Sequence, residues 1–108
     1  SFYEVVLSRV VHYGNEGEQE KQEAFNRGCN ASGAYTLKLL PLNECNQARF
    51  TRAITELSHS YPLLKPRLLK GLIKAAQSDE SVSQQELYVI KGIAVVMDCP
   101  LIGLEIAL

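Results

Sequence analysis

Few side chains in this sequence are of a type and spacing that could do chemistry: two histidines, three cysteines and one short run of carboxylates. Zinc-peptidase chemistry on a helix requires H-E-x-x-H, in which two imidazoles one turn apart hold the metal and the glutamate activates water. His12 and His59 stand apart and neither opens that pattern. His12 is therefore expected on a solvated polar face. The seven glycines never cluster as G-x-G-x-x-G or G-x-x-x-x-G-K, so no phosphate-cradling loop is expected. Cys29, Cys45 and Cys99 are odd in number, widely spaced and without a C-x-x-C pair. That spacing argues against a disulfide framework or a structural zinc site, and for reduced thiols in a cytosolic compartment. Cys29 and Cys99 sit in apolar contexts, where an inert buried thiol is the usual outcome and a nucleophile the exception. No catalytic residue is expected in this chain.

The carboxylates lie in SDESVSQQE, residues 78–86. A calcium loop of the EF-hand type needs oxygens at its first, third and fifth positions, a glycine at the sixth and a bidentate glutamate at the twelfth. Counting from Asp79, Ser81 and Ser83 could follow as ligands, but the sixth position is Gln84 and the twelfth Ile90. Ser83-Gln84-Gln85-Glu86 instead matches a capping box. The Ser83 hydroxyl would accept from the Glu86 N–H, and the Glu86 carboxylate would reach back to the Ser83 N–H, with Val82 as a hydrophobic staple. Asp79 and Glu80 would then favour the positive end of the same helix. A weak divalent-cation site at Asp79, Glu80 and Glu86 is the alternative.

The elements that must position these residues read as helices. From Phe2 to Tyr13, Glu4, Ser8 and His12 recur every four residues as a polar face, and Phe2, Val6, Leu7, Val10 and Val11 fill the rest. Gly14 is a natural left-handed stop. Glu18 to Ser32 predicts a second helix that packs a thin stripe of Ala24, Phe25, Gly28, Cys29 and Ala31, stopped by Gly33. Ala34 to Leu42 is short, ends at Pro41 and has no partner strand, so an apolar connector pinned to the core is expected. Asn43 is expected to cap a third helix to about Ser60, with a seam of Phe50, Ile54, Leu57 and Tyr61. The next helix starts at Pro62 or Pro66. Leu64, Leu68, Leu69, Leu72, Ile73 and Ala76 fill one half of it, and Arg67, Lys70 and Lys74 the other. The last, Gln84 to Met97, carries only Lys91 as a charge beyond Leu87. A helix apolar nearly all round is central to a bundle or covered by a partner. Asp98-Cys99-Pro100 ends it before the apolar tail LIGLEIAL.

The expectation is one all-α domain spanning residues 1–108, a bundle of about five helices with no β-sheet. At 108 residues and 46% hydrophobic content the chain can bury a single core. Its net charge of −1 lacks the basic excess of a nucleic-acid binder, so no nucleic-acid partner is expected. No apolar run approaches the roughly 20 residues of a spanning helix, and Glu4 with Arg9 interrupts any leader-like stretch. Without an initiator Met and starting mid-pattern, the chain is expected to be a piece of a longer protein.

Residues 63–101, LLKPRLLKGLIKAAQSDESVSQQELYVIKGIAVVMDCPL, resemble the C-terminal helical region of bacterial membrane-associated zinc metallopeptidases with chaperone function, the heat-shock family related to CAAX prenyl proteases. Leu68-Leu69 and Ala75-Ala76 match its leucine–alanine helix, Asp79, Val82 and Glu86 its acidic loop, and Asp98 to Leu101 its D-C-P-L ending. The loop and following helix are also similar to TerB-like tellurite-resistance domains, which are all-helical and acidic. Glu80 stands where a loop glycine belongs. The resemblance implies a non-catalytic C-terminal domain on the cytoplasmic side of a peptidase anchored in the inner membrane, with zinc only in the separate peptidase domain and no cofactor in this chain.

The expected function is therefore that of a helical accessory domain that contacts its parent's peptidase domain, another protein or a second copy of itself. The expected contact surfaces are the basic face Arg67, Lys70 and Lys74 and the apolar tail Leu101, Ile102, Leu104, Ile106 and Leu108, which needs covering.

Overall fold

A computed structural model describes residues 2–14, 17–60, 65–76 and 90–93. The protein is an all-α bundle. Among the described residues it comprises α1 (Phe2–Gly14), α2 (Glu18–Ser32), a single 3-10 turn (Leu42–Glu44), α3 (Gln47–Ser60), α4 (Lys65–Ala76) and helical residues 90–93, with no strand.

α1 is the hub. Its run of β-branched and leucine residues is apolar over most of the circumference, and Tyr3, Val6, Leu7, Val10 and Val11 are all buried. It packs against α2, α3 and α4 in turn. Gly14 is the last residue of α1, and the left-handed glycine of the described residues is Gly33, at φ 78°. There the Gly33 and Ala34 N–H groups both turn back to the Cys29 carbonyl and close α2.

α2 and α4 form the tightest pair. Gly28 and Gly71 face each other: a Cβ at Gly28 would lie 3.0 Å from the Gly71 carbonyl oxygen, and one at Gly71 would lie 2.7 Å from that of Gly28. Two glycines remove the side chains that would hold the backbones apart. Arg67 lies beside Gly33, and Arg27 Nε donates to the Lys74 carbonyl at 3.4 Å, so the two helices run antiparallel. Each thereby places a guanidinium near the other's carbonyl end, the favourable sign for both dipoles.

The buried stripe of α2 is Ala24, Phe25, Gly28, Cys29 and Ser32, with Ala31 only half-buried. Ser32 can enter the core because its hydroxyl returns to the Gly28 carbonyl at 2.8 Å. The expected seam of α3 is present in Ile54 and Leu57, with Phe50 partly buried against the core; Ala53 joins them and is fully buried. Tyr61 and Leu64 lie outside the described residues.

Asn43 does not cap α3. Residues 41–45 form their own 3-10 turn, in which the Glu44 N–H bonds the Pro41 carbonyl and the Cys45 N–H that of Leu42. The capping residue is Asn46, whose Oδ1 accepts from the Arg49 N–H at 3.0 Å. In α4, Pro66 occupies the first turn as expected, and Leu68, Leu69, Leu72, Ile73, Ala75 and Ala76 are buried. Ile90 and Ile93 are buried while Lys91 and Gly92 face outward.

Candidate functional site

The polar face of α1 is only partly solvated: Ser8 is buried, and Glu4 and His12 are half-buried. Glu4, Ser8 and His12 form a ladder that holds the extended segment 37–41. Glu4 Oε2 accepts from the Lys38 N–H at 2.7 Å, and Ser8 Oγ accepts from the Leu40 N–H at 2.9 Å. His12 Nε2 lies 2.7 Å from the Leu40 carbonyl; a carbonyl only accepts, so this nitrogen carries the hydrogen. Four helical residues rise about 6 Å, and two extended residues about 6.6 Å. The two periods nearly match, so Glu4 and Ser8, four apart on α1, satisfy the N–H groups of Lys38 and Leu40, two apart on the connector, and His12 takes the Leu40 carbonyl. Leu37 and Leu39 pack against the core. Segment 34–42 is thus the pinned connector that its sequence suggests, and a helix supplies the partner that a strand lacks. His12 is half-buried and hydrogen-bonded, which corrects its expected place on a solvated face.

The two described thiols are structural. Cys29 is buried in the stripe of α2, and burial, reinforced by the Glu4 charge, pushes its thiol pKa up. Cys45 is fully buried with Sγ 3.4 Å from the Pro41 carbonyl. Burial raises its pKa as well, with Arg9 opposing and Glu44 assisting. A raised thiol pKa leaves little thiolate at neutral pH, the opposite of what a nucleophile needs. Tyr3 is the third buried titratable group. Its hydroxyl donates to the Leu68 carbonyl at 2.7 Å and fills the space that glycine leaves at position 71.

The basic row of α4 is placed as expected: Arg67, Lys70 and Lys74 are exposed on its outer side. Arg67 reaches the C-terminal end of α2 beside Gly33. Lys70 and Lys74 have no ion-pair partner among the described residues. Asp79, Glu80, Ser83 and Glu86 of the acidic run, the apolar tail Leu101, Ile102, Leu104, Ile106 and Leu108, and Cys99 all lie outside the described residues. Among the described residues no three His, Cys, Asp or Glu side chains gather as metal ligands, and no helix is long and apolar enough to cross a membrane.

A second surface went unread in the sequence. Between α1 and α3 runs an open groove of about 400 Å³ lined by Phe2, Val5, Arg49 and Arg52. Phe2 is 38% exposed, and Val5 is half-buried on the core. Further along the same seam the Arg9 guanidinium lies 5.0 Å from the Tyr13 ring centre and 5.3 Å from that of Phe50. It donates to the Cys45 carbonyl at 2.9 Å and to the Tyr13 hydroxyl at 2.7 Å. The positions of Phe2 and Val5 relative to Arg49 and Arg52 depend on how α1 and α3 cross, which no local pattern encodes.

The protein is thus an all-helical bundle, and among its described side chains the Arg27 Nη2 atom is buried without a hydrogen-bond partner. Comparison with protein-family models, with curated proteins and with solved structures yields no match.

Proposed function

We propose that the chain is a non-catalytic helical interaction domain. The observation that carries this reading is the exposed pair Lys70 and Lys74 on α4, which has no ion-pair partner among the described residues and stands with Arg67 on the face opposite the buried Leu68, Leu69, Leu72 and Ile73. Exposed lysines are common on a helix; here they form the outer face of the helix whose sequence, with the segment after it, resembles the metallopeptidase-associated region. Burial and raised pKa of Cys29 and Cys45 favour contact over covalent chemistry. The resemblance of residues 63–101 extends the proposal to an accessory domain on the cytoplasmic side of a membrane-bound zinc-dependent peptidase. In that arrangement the α4 lysines face an acidic surface of the peptidase domain.

The test is lysine-directed cross-linking of the full-length parent followed by mass spectrometry. Lys70 or Lys74 should link to the peptidase domain, and the Lys70→Glu/Lys74→Glu variant should release the domain to limited proteolysis. Links confined to residues within the domain, with unchanged proteolysis of the variant, would defeat the reading.

A further inference from the structure

We propose that the groove between α1 and α3 is a docking site for an acidic, apolar-tipped peptide segment of a partner protein. Its floor is apolar, with Phe2 left 38% exposed at one end and Val5 beside it. Its other wall carries two guanidiniums, Arg49 and Arg52, and among the described residues its lining holds no carboxylate. Arg49 meets only the Glu44 carbonyl, at a long 3.4 Å, and Arg52 has no side-chain partner among the described residues. Glu56, one turn beyond Arg52, is not within ion-pair distance of it. Arg9, further along the seam, is spent on a backbone carbonyl and a phenol rather than on a carboxylate. The seam therefore concentrates positive charge that no carboxylate among the described residues pairs with, in a chain whose net charge is −1.

Guanidiniums present a planar fork that matches a carboxylate with two parallel hydrogen bonds. At about 400 Å³ the groove falls at the low end of ligand sites, roughly 300–1,000 Å³, with room for one or two side chains rather than a large cofactor. An apolar side chain on Phe2 and Val5, flanked by carboxylates on Arg49 and Arg52, satisfies both halves. A nucleic acid would leave the apolar floor unmatched and would need a longer basic track. This surface goes beyond the α4 lysines and lies on different helices, so the two can fail separately.

The experiment titrates the ¹⁵N-labelled protein with a synthetic peptide bearing paired leucines flanked by glutamates. Saturable binding is expected, with amide shifts centred on Phe2, Val5, Arg49 and Arg52. Replacing both arginines with glutamate should weaken binding by about tenfold or more, the scale of a lost charge-assisted hydrogen bond. A leucine-to-serine peptide should lose binding, and Lys70→Glu should leave it unchanged. If the double glutamate variant is not folded by circular dichroism, Arg49→Gln/Arg52→Gln takes its place, with a smaller loss expected. Unsaturable binding, shifts centred on α4, or equal affinity for the arginine variants would overturn the proposal. Two further outcomes would reassign the groove: arginine-dependent binding to phosphatidylserine vesicles without peptide binding, or a concentration-dependent dimer that perturbs the same amides.

Discussion

Tyr3 shows how one hydroxyl ties stability to pH. Burial disfavours the phenolate and pushes the pKa well above the usual phenol value; the Ser32 hydroxyl opposes this and Cys29 adds to it. The folded state thus holds the proton to higher pH than the unfolded chain. The associated stability is complete below the unfolded value of about 10 and is lost as pH rises above it. The buried thiols Cys29 and Cys45 act with the same sign from about 8.5 upward. The urea midpoint should therefore hold level up to about pH 8.5 and then fall. Tyr3→Phe should cost about 1 kcal/mol at neutral pH and flatten the decline above about pH 10. If the variant declines as steeply as the parent, the Tyr3 phenol is not the titrating group.

Among the elements, the α2–α4 crossing is where a single methyl decides the sign of an effect. A Cβ at position 71 would collide with the Tyr3 hydroxyl and lie 2.8 Å from Ser32 Cβ, whereas one at the exposed Gly92 would meet nothing within 4 Å among the described residues. Alanine gains up to about 1 kcal/mol over glycine in helix propensity. Gly92→Ala should realise that gain, while Gly71→Ala should be destabilised by about 1–3 kcal/mol because overpacking outweighs it. Equilibrium denaturation of the two variants checks both signs, and a stabilised Gly71→Ala would mean that the helices part freely. Of this crossing only the Gly28 side was legible, as part of the thin stripe of α2; its partner Gly71 reads as a gap among leucines. The helices themselves were legible: the four-residue spacing of α1, the thin stripe of α2 and the leucine-rich half of α4 each follow from period alone. The cap of α3 was misplaced by one turn because Pro41 starts a separate 3-10 turn that uses up Asn43. The polar row of α1 was visible, but its partners were not, since they are backbone groups 28, 32 and 34 residues away.

For the molecule as a whole, α1 sets the cooperativity. It alone touches each of the other three described α-helices along an extended face, so α2–α4 on one side and α3 on the other share one buried helix. Leu7 is fully buried, with its Cδ1 directed at Gly28. Leu7→Ala should lower global stability by about 2–5 kcal/mol. Cys29, in α2, and Cys45, beside Arg9, lie on different flanks of α1 and are both buried. Pulsed thiol labelling through a urea titration should therefore expose both at one denaturant concentration, in the variant as in the parent. Separate midpoints would divide the bundle into two folding units. Fold class was accessible from the sequence for the same reason that this experiment is feasible: the apolar content sits on helical faces. The groove between α1 and α3 was not, because it is a property of two helices placed side by side.

The ladder of Glu4, Ser8 and His12 also bears on how this protein can change over generations. Surface connections ordinarily absorb added residues at little cost. This one is measured against the pitch of a helix. One residue inserted between Leu37 and Leu40 would carry the N–H groups now at Lys38 and Leu40 off their acceptors and turn the inward leucines outward, as a one-residue slip does in a sheet. Length variation should instead gather at the turn just upstream, where Tyr35 is 73% exposed and no rung of the ladder is fixed.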